Sequence, residues 1–129
     1  MTIVLCHCGN LVPYANCCGR FHRGNEVELT AELLMRSRYS AYVLVLEDYL
    51  LATWHPSRRP AALDLSDANK TRWLGLEIKR HTVMDASCAQ VEFVARYKIG
   101  GLPAVRLHEI SDFILEGGRW FYVSGVFPT

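Results

Sequence analysis

Cys6, Cys8, Cys17 and Cys18 fall within the first eighteen residues as C-x-C-(x8)-C-C, and they are four of the five cysteines in the chain. That stretch is too short and too turn-rich to form a hydrophobic core, so the thiols need another reason to converge. A structural metal ion supplies one. Zinc takes four ligands in a tetrahedron, with thiolates at about 2.3 Å, and a four-cysteine shell leaves no position for water, which makes such a site structural rather than catalytic. The loop chemistry agrees: Gly9-Asn10 follows Cys8 where the chain must reverse, Pro13 fixes a φ angle, and Gly19 follows the last thiol. Adjacent Cys17 and Cys18 can both ligate only if the backbone turns tightly between them. A disulfide framework is the competing reading and belongs to secreted chains, but Met1-Thr2-Ile3-Val4-Leu5 has neither a basic n-region nor a full apolar h-region. His7 or His22 could each replace a thiolate, although four cysteines already complete the shell. The expectation is one structural zinc ion, or another thiophilic ion in its place, held by Cys6, Cys8, Cys17 and Cys18.

Two further residues could carry acid or base chemistry. Glu109 lies in a stretch where Leu107, Glu109, Ser111, Phe113 and Leu115 alternate with Arg106, His108, Ile110, Asp112 and Ile114, so its carboxylate shares the apolar face. A buried carboxylate is costly unless paired. It either pairs with Arg36 or Arg38 of a preceding helix, the common solution for internal charge, or stays apart with a pKa suited to proton transfer. Arg36 and Arg38 are two apart, so one of them is expected to be solvated. His55, in Trp54-His55-Pro56, is the second candidate, with an unperturbed pKa of about 6.5. Its plainer role is a helix-ending turn whose histidine bonds backbone. Cys88 reads as a small residue at a turn or strand start.

The elements that must position these residues follow from hydrophobic period. Residues 20–29 read as a connector. Thr30 is a plausible N-cap for a helix in which Met35, Tyr39, Tyr42 and Leu46 recur at steps of three and four. A second short helix runs from Glu47 to Ala52 and must stop before His55-Pro56. Residues 61–72 allow a third, capped by Ser66 or Asp67. After Trp73 the period becomes two: Leu74, Leu76 and Ile78 alternate with polar neighbours, three more strands follow, and Gly100-Gly101 and Gly117-Gly118 mark turns. Helices first and an antiparallel meander afterwards predict an α+β domain with helices on one face of a curved sheet. At 129 residues, half of them apolar and 21% charged, the chain suits one ordinary globular domain with a small N-terminal appendage at residues 1–25 and the domain itself at 26–129. A net charge of +1 gives no electrostatic case for nucleic acid, so binding through Arg20, Arg23, Arg58 and Arg59 would be weak. No apolar run is long enough to span a membrane, and the expected compartment is a reducing cytoplasm. Nucleotide, serine-hydrolase and H-E-x-x-H signatures are absent, and His22, His81 and His108 lack metal-ligand spacing.

Two resemblances sharpen this. Cys6-His7-Cys8-Gly9 with Tyr14 and Cys17-Cys18-Gly19 resembles the SEC-C motif, a zinc-binding element also found at the C-terminus of the SecA translocation ATPase, where it mediates protein binding. Leu34-Met35-Arg36-Ser37-Arg38-Tyr39, Asp48-Tyr49-Leu50, Thr53-Trp54-His55-Pro56, Trp73-Leu74-Gly75-Leu76, Glu109-Ile110-Ser111-Asp112-Phe113 and Gly118-Arg119-Trp120-Phe121-Tyr122 resemble the YchJ-like family of uncharacterised bacterial proteins. The second resemblance spans nearly the whole chain. It implies a cone-shaped nuclear transport factor 2-like domain behind the zinc loop, Cys6, Cys8, Cys17 and Cys18 as ligands, and no established activity. Members often end in a second SEC-C motif, whereas this sequence ends at Phe127-Pro128-Thr129, so a role that needs two such elements is not expected of it.

In such a cone the apolar strand face borders a cavity, and Tyr39, Tyr42, Trp54, Tyr97, Ser111, Trp120 and Tyr122 are the residues expected to line it if it is open rather than filled. The leading expectation is a protein-interaction module with structural zinc and a protein partner. The alternative is small-molecule binding or lyase or isomerase chemistry in the cone, with Glu109 and His55 as acid and base. Folds of this kind often pair through exposed sheet surface, which leaves a homodimer open.

Overall fold

The computed structural model describes residues 4–128, so positions 1–3 and 129, at the outer edges of the two expected segments, lie outside the described residues. The chain opens as a ribbon. Leu5 bridges Pro13 in antiparallel sense, with Cys6 N donating to Val12 O at 2.9 Å and Tyr14 N donating to Val4 O at 3.0 Å. A 3-10 turn at Tyr14–Asn16 then reverses the chain into α1 (Cys18–His22). The expected connector is therefore partly helical: Phe21 is buried where α1 packs on the next helix, and Glu28 is buried where its Oε1 accepts from Ser37 Oγ and Tyr49 Oη.

Helix α2 (Ala31–Leu44) starts at Thr30, whose Oγ1 accepts from Leu33 N at 3.1 Å and satisfies one of the amides that a first helical turn leaves unpaired. It ends at Val45 in the left-handed region (φ 59°, ψ 50°), a strained conformation for a β-branched residue. That single reversal lets α3 (Glu47–Ala52) fold back along α2. The third helix expected at 61–72 does not form. Asp64 accepts from Ser66 N at 3.1 Å, a local turn that competes with helix, and only a 3-10 turn at Ala68–Lys70 precedes the sheet.

Four strands, β1 (Thr71–Asp85), β2 (Cys88–Ile99), β3 (Val105–Glu116) and β4 (Arg119–Val126), pair antiparallel in chain order. Leu74 departs from the simple alternation. A β-bulge between Trp73 and Gly75 resets the period, so that Trp73, Leu76 and Ile78 pack on the core while Leu74 is 47% exposed. The inner face presents Val91, Phe93, Ala95 and Phe113 to Ala31, Leu34, Met35 and Tyr39 of α2. This is the α+β arrangement of helices on one face of a bent meander. Among the described residues no helix is long and apolar enough to cross a membrane.

The cysteine-bearing segment is fastened to the opposite side of α2. His22 Nε2 donates to Ser37 O at 2.8 Å, which fixes the tautomer so that Nδ1 accepts from Tyr14 Oη at 2.6 Å. With both ring nitrogens occupied, His22 is not placed to replace a thiolate, and His7 is exposed. Burial holds the His22 pKa below the ordinary imidazole range. The unfolded chain therefore takes up a proton at a higher pH than the folded one, and the stability tied to neutral His22 is present above the ordinary imidazole value and lost as pH falls through the depressed folded value. Urea denaturation from pH 7.5 to 5 should show wild type losing more stability than His22→Gln over that range; parallel curves would remove His22 from the account.

Candidate functional site

Two places gather chemistry-bearing side chains. In the first, the ribbon and α1 bring the Sγ atoms of Cys6, Cys8, Cys17 and Cys18 within 4.8 Å of one another, all four residues buried and none in a disulfide. Two local features make this possible. Gly9, at φ 95°, turns the chain after Cys8 in a conformation that side chains resist. Cys17, at φ −125° and ψ −116°, joins the 3-10 turn to α1 and supplies the tight turn that two adjacent ligating cysteines require. Helix α2 closes the other side: Arg36 Nη1 donates to Cys8 O at 2.8 Å, and Cys6 Sγ lies 3.5 Å from Ser40 Oγ. Asn10 Nδ2 donates to Cys17 Sγ at 3.8 Å.

The thiols titrate against one another. Contact with the Cys18 thiol, then with Cys8, holds Cys6 well below the usual thiol range, whereas Cys6 and then Cys8 drive Cys18 far above it. For Cys8 the hydrogen bond with Cys18 lowers the pKa, but Cys6 and burial outweigh it and push the thiol up to about 11. Four thiolates in so small a volume need a cation. A tetrahedron of bonds at about 2.3 Å separates its sulfurs by about 3.8 Å, and Cys8 Sγ and Cys17 Sγ are 3.7 Å apart. The donor set fits one thiophilic metal ion, with no ligand position left over for catalysis.

The second place is a cavity of about 360 Å³ between α2, the loop carrying Asp64 and Asp67, and the concave face of the sheet. Tyr39, Tyr42, Trp54, Tyr97, Ser111 and Tyr122 are on its wall together with Glu109. Trp120 is not; it pairs with Leu115 farther along the hairpin and packs at the margin of the core. Glu109 is half-buried. Its Oε2 accepts from Ser111 Oγ at 2.5 Å and from Tyr122 Oη at 3.3 Å, while Oε1 takes no hydrogen bond among the described residues. Burial, and after it the Glu109 carboxylate, holds the Tyr122 hydroxyl well above the ordinary phenol range, so it remains a donor.

Neither arginine on α2 forms an ion pair with Glu109. Arg36 pairs with Glu32, at 3.1 Å, and reaches the cysteine segment. Arg38 is buried: its Nη1 donates to Leu50 O at 2.8 Å and Thr53 Oγ1 at 2.6 Å, and its guanidinium lies 4.7 Å from the Tyr122 ring centre and 5.3 Å from that of Trp54. Neither is the solvated arginine expected from their spacing, because α2 is covered on both sides.

His55 does not join Glu109. Trp54 bridges Tyr122 and His55 N donates to Tyr122 O at 2.8 Å, so this dipeptide runs like a strand beside β4. Successive side chains on such a segment point to opposite faces. Trp54 turns into the cavity; His55 turns out to Ser57 Oγ (2.7 Å), Glu116 Oε2 (2.5 Å) and the edge of Phe121. The other departures are wall residues that sequence reasoning missed: Trp73, whose bulge hid its facing, and Arg38, Asp64 and Asp67.

Gly125 is a further position that sequence reasoning missed. It opposes Ser111 on β3, and a Cβ there would lie 2.6 Å from Glu109 Cδ and 2.9 Å from Cγ. Its backbone is not in the left-handed region, so the glycine supplies room for the carboxylate rather than a special conformation. A glycine inside a strand is itself a sign of such close approach.

Known proteins bear on both places. The family described as "YchJ, middle NTF2-like domain" matches residues 30–125. A UPF0225 protein of Xanthomonas campestris pv. campestris is 52% identical over 118 residues, covering 92% of this chain and 91% of that one. One from Ralstonia nicotianae is 55% identical over 130 residues, covering 93% and 89%. The solution structure of a SEC-C motif containing protein from Rhodopseudomonas palustris is similar at a TM-score of 0.86 and 33% identity, over 98% of this chain and all 100% of that one. The crystal structure of a SEC-C motif containing protein from Psychrobacter arcticus is similar at 0.79 and 30% identity, over 97% and 83%.

The Gly125 contact yields a double-mutant cycle. Gly125→Ala should lower unfolding stability by about 1–3 kcal/mol through overpacking, and most of that loss should vanish in a Glu109→Ala background, a coupling of about 1–2 kcal/mol. Strictly additive losses would mean that the glycine serves something other than the carboxylate.

Proposed function

The chain belongs to the YchJ family, whose middle domain is nuclear transport factor 2-like, and from that premise we propose that it is a zinc-stabilised receptor for a small organic molecule. One observation carries the reading: a carboxylate oxygen of Glu109 stands without a protein partner in an aromatic-walled cavity of about 360 Å³. Pockets with few, convergent polar groups in apolar walls are the usual form of ligand sites. A core filled by side chains, or a Glu109–arginine pair, would have spoken for packing alone. Lyase or isomerase chemistry by a Glu109–His55 pair loses its second member, so binding is favoured over turnover.

In this reading Cys6, Cys8, Cys17 and Cys18 hold one zinc ion. Bound there, the ion supplies cross-linking and charge neutralisation rather than catalysis. The four-sulfur donor set and the similarity to SEC-C proteins support it. Free thiols suit a reducing compartment, and the cytoplasm is the proposed one. Docking of a protein partner on the cysteine segment is the second reading. The ribbon that carries Cys6 and Cys8 exposes Val4 (62%) and Leu11 (84%), with Leu5 and Val12 beside them.

Metal is tested first. Protein purified without chelator should carry about one zinc per chain, and Cys8→Ser should lose the metal together with several degrees of melting temperature; metal-free wild type of unchanged stability would overturn the zinc assignment. For the cone, an NMR screen with a fragment library should shift resonances of Tyr42, Trp73 and Glu109. Ala68→Trp, which obstructs the mouth, should abolish those shifts. A library that leaves the cone resonances still would end the receptor reading.

A further inference from the structure

The walls of the cavity select among ligand charges. Its aromatic side is a cluster centred on Trp73, with the rings of Tyr39, Tyr42 and Tyr97 centred 5.4, 6.0 and 5.3 Å away. Aromatic faces are electronegative and attract cations within about 6 Å. Glu109, on β3, belongs to the same wall. Two hydroxyls, Ser111 and Tyr122, already donate to its Oε2, which leaves Oε1 as an acceptor without a hydrogen bond among the described residues, on a residue of the cavity wall. Asp64 and Asp67 stand at the mouth.

Against these three carboxylates the wall has one cation, Arg38. Its Nη1 is taken by Leu50 O and Thr53 Oγ1, and its guanidinium carbon lies over the rings of Tyr122 and Trp54. An anionic ligand would meet three like charges against this one guanidinium. A neutral ligand would leave the open oxygen of Glu109 desolvated and without a charge partner.

We propose that the cone binds an organic cation, an amine or substituted ammonium on a compact flat body, with the ammonium on Glu109 Oε1 and the body against Trp73. Such a pair combines a charge-assisted hydrogen bond with cation–π contact. A cavity of about 360 Å³ sits at the small end of the ligand-site range of about 300–1,000 Å³, so the cation is small. This inference rests on the reading of the cone as a receptor.

The test uses the full chain as purified with its metal and three probes of one skeleton: 2-phenylethylammonium, the neutral 2-phenylethanol and the anionic phenylacetate. NMR titration should give cone-localised shifts with the ammonium bound about tenfold or more tighter than the alcohol, and no binding of phenylacetate. Glu109→Gln keeps an acceptor for Ser111 and Tyr122 and should cut ammonium affinity about tenfold while leaving the alcohol unchanged. Circular dichroism and melting temperature report that the variant is folded. Alcohol or phenylacetate binding in the cone as tightly as the ammonium would overturn the charge preference and leave the receptor reading standing. Ammonium affinity untouched by Glu109→Gln would overturn the assigned contact. No cone shift with any of the three probes would overturn the organic-cation assignment, while the fragment screen decides the receptor reading by itself.

Discussion

The buried guanidinium of Arg38 holds this domain at its working width. One Nη1 donates to the last turn of α3 at Leu50 O and to Thr53 Oγ1, while the guanidinium carbon lies over the rings of Trp54 and Tyr122. Four parts of the chain, α2, α3, the Trp54 segment and β4, are thereby kept at one side chain's distance. A buried charge tolerates few arrangements, since losing a partner costs about 3–5 kcal/mol. An apolar residue of similar length could pack there, but it would not insist on one register. The opening lies beside this arginine, which shares its wall with Asp64 and Trp73.

Helix α2 has a second face with equal claims on it. Arg36, Ser37 and Ser40 face the cysteine segment through Cys8 O, His22 and Cys6, whereas Leu34, Met35, Arg38 and Tyr39 face the sheet or the cavity. At about 100° per residue, fourteen residues of helix can serve both sides without conflict. The cysteine segment is thus a clamp on the back of the wall that supports Arg38. Metal binding there couples to folding, since thiolates cannot be gathered in the unfolded chain. The same argument separates the roles of the two places: the four sulfurs suit an ion and leave no ligand position over, whereas the cone wall keeps a Glu109 oxygen without a protein partner among the described residues.

Much of this was legible in residue order. The thiol spacing, the Thr30 cap, the span of α3 and the meander all follow from local rules: ligand count, amide satisfaction, the restriction before proline and a period of two. So does the inward facing of Glu109, because β3 keeps its alternation without interruption as far as Ser111. What misled was local competition. An Asx turn at Asp64 displaced a helix, a bulge after Trp73 turned Leu74 outward and Trp73 inward, and a strand-like stretch at Trp54-His55 sent the histidine outward.

The sequence by itself determined which side chains could bind metal, where α2 begins and α3 stops, and which face of β3 turns inward, because each depends on residues within a few positions of one another. Tertiary structure alone decided that Arg38 is spent on α3 and β4 rather than on Glu109, that Gly125 makes room for the carboxylate, and that the cone stays open. These are questions of distance between parts of the chain far apart in order. A sheet with bulges sets those distances by how far it bends, and that is not written in any one segment.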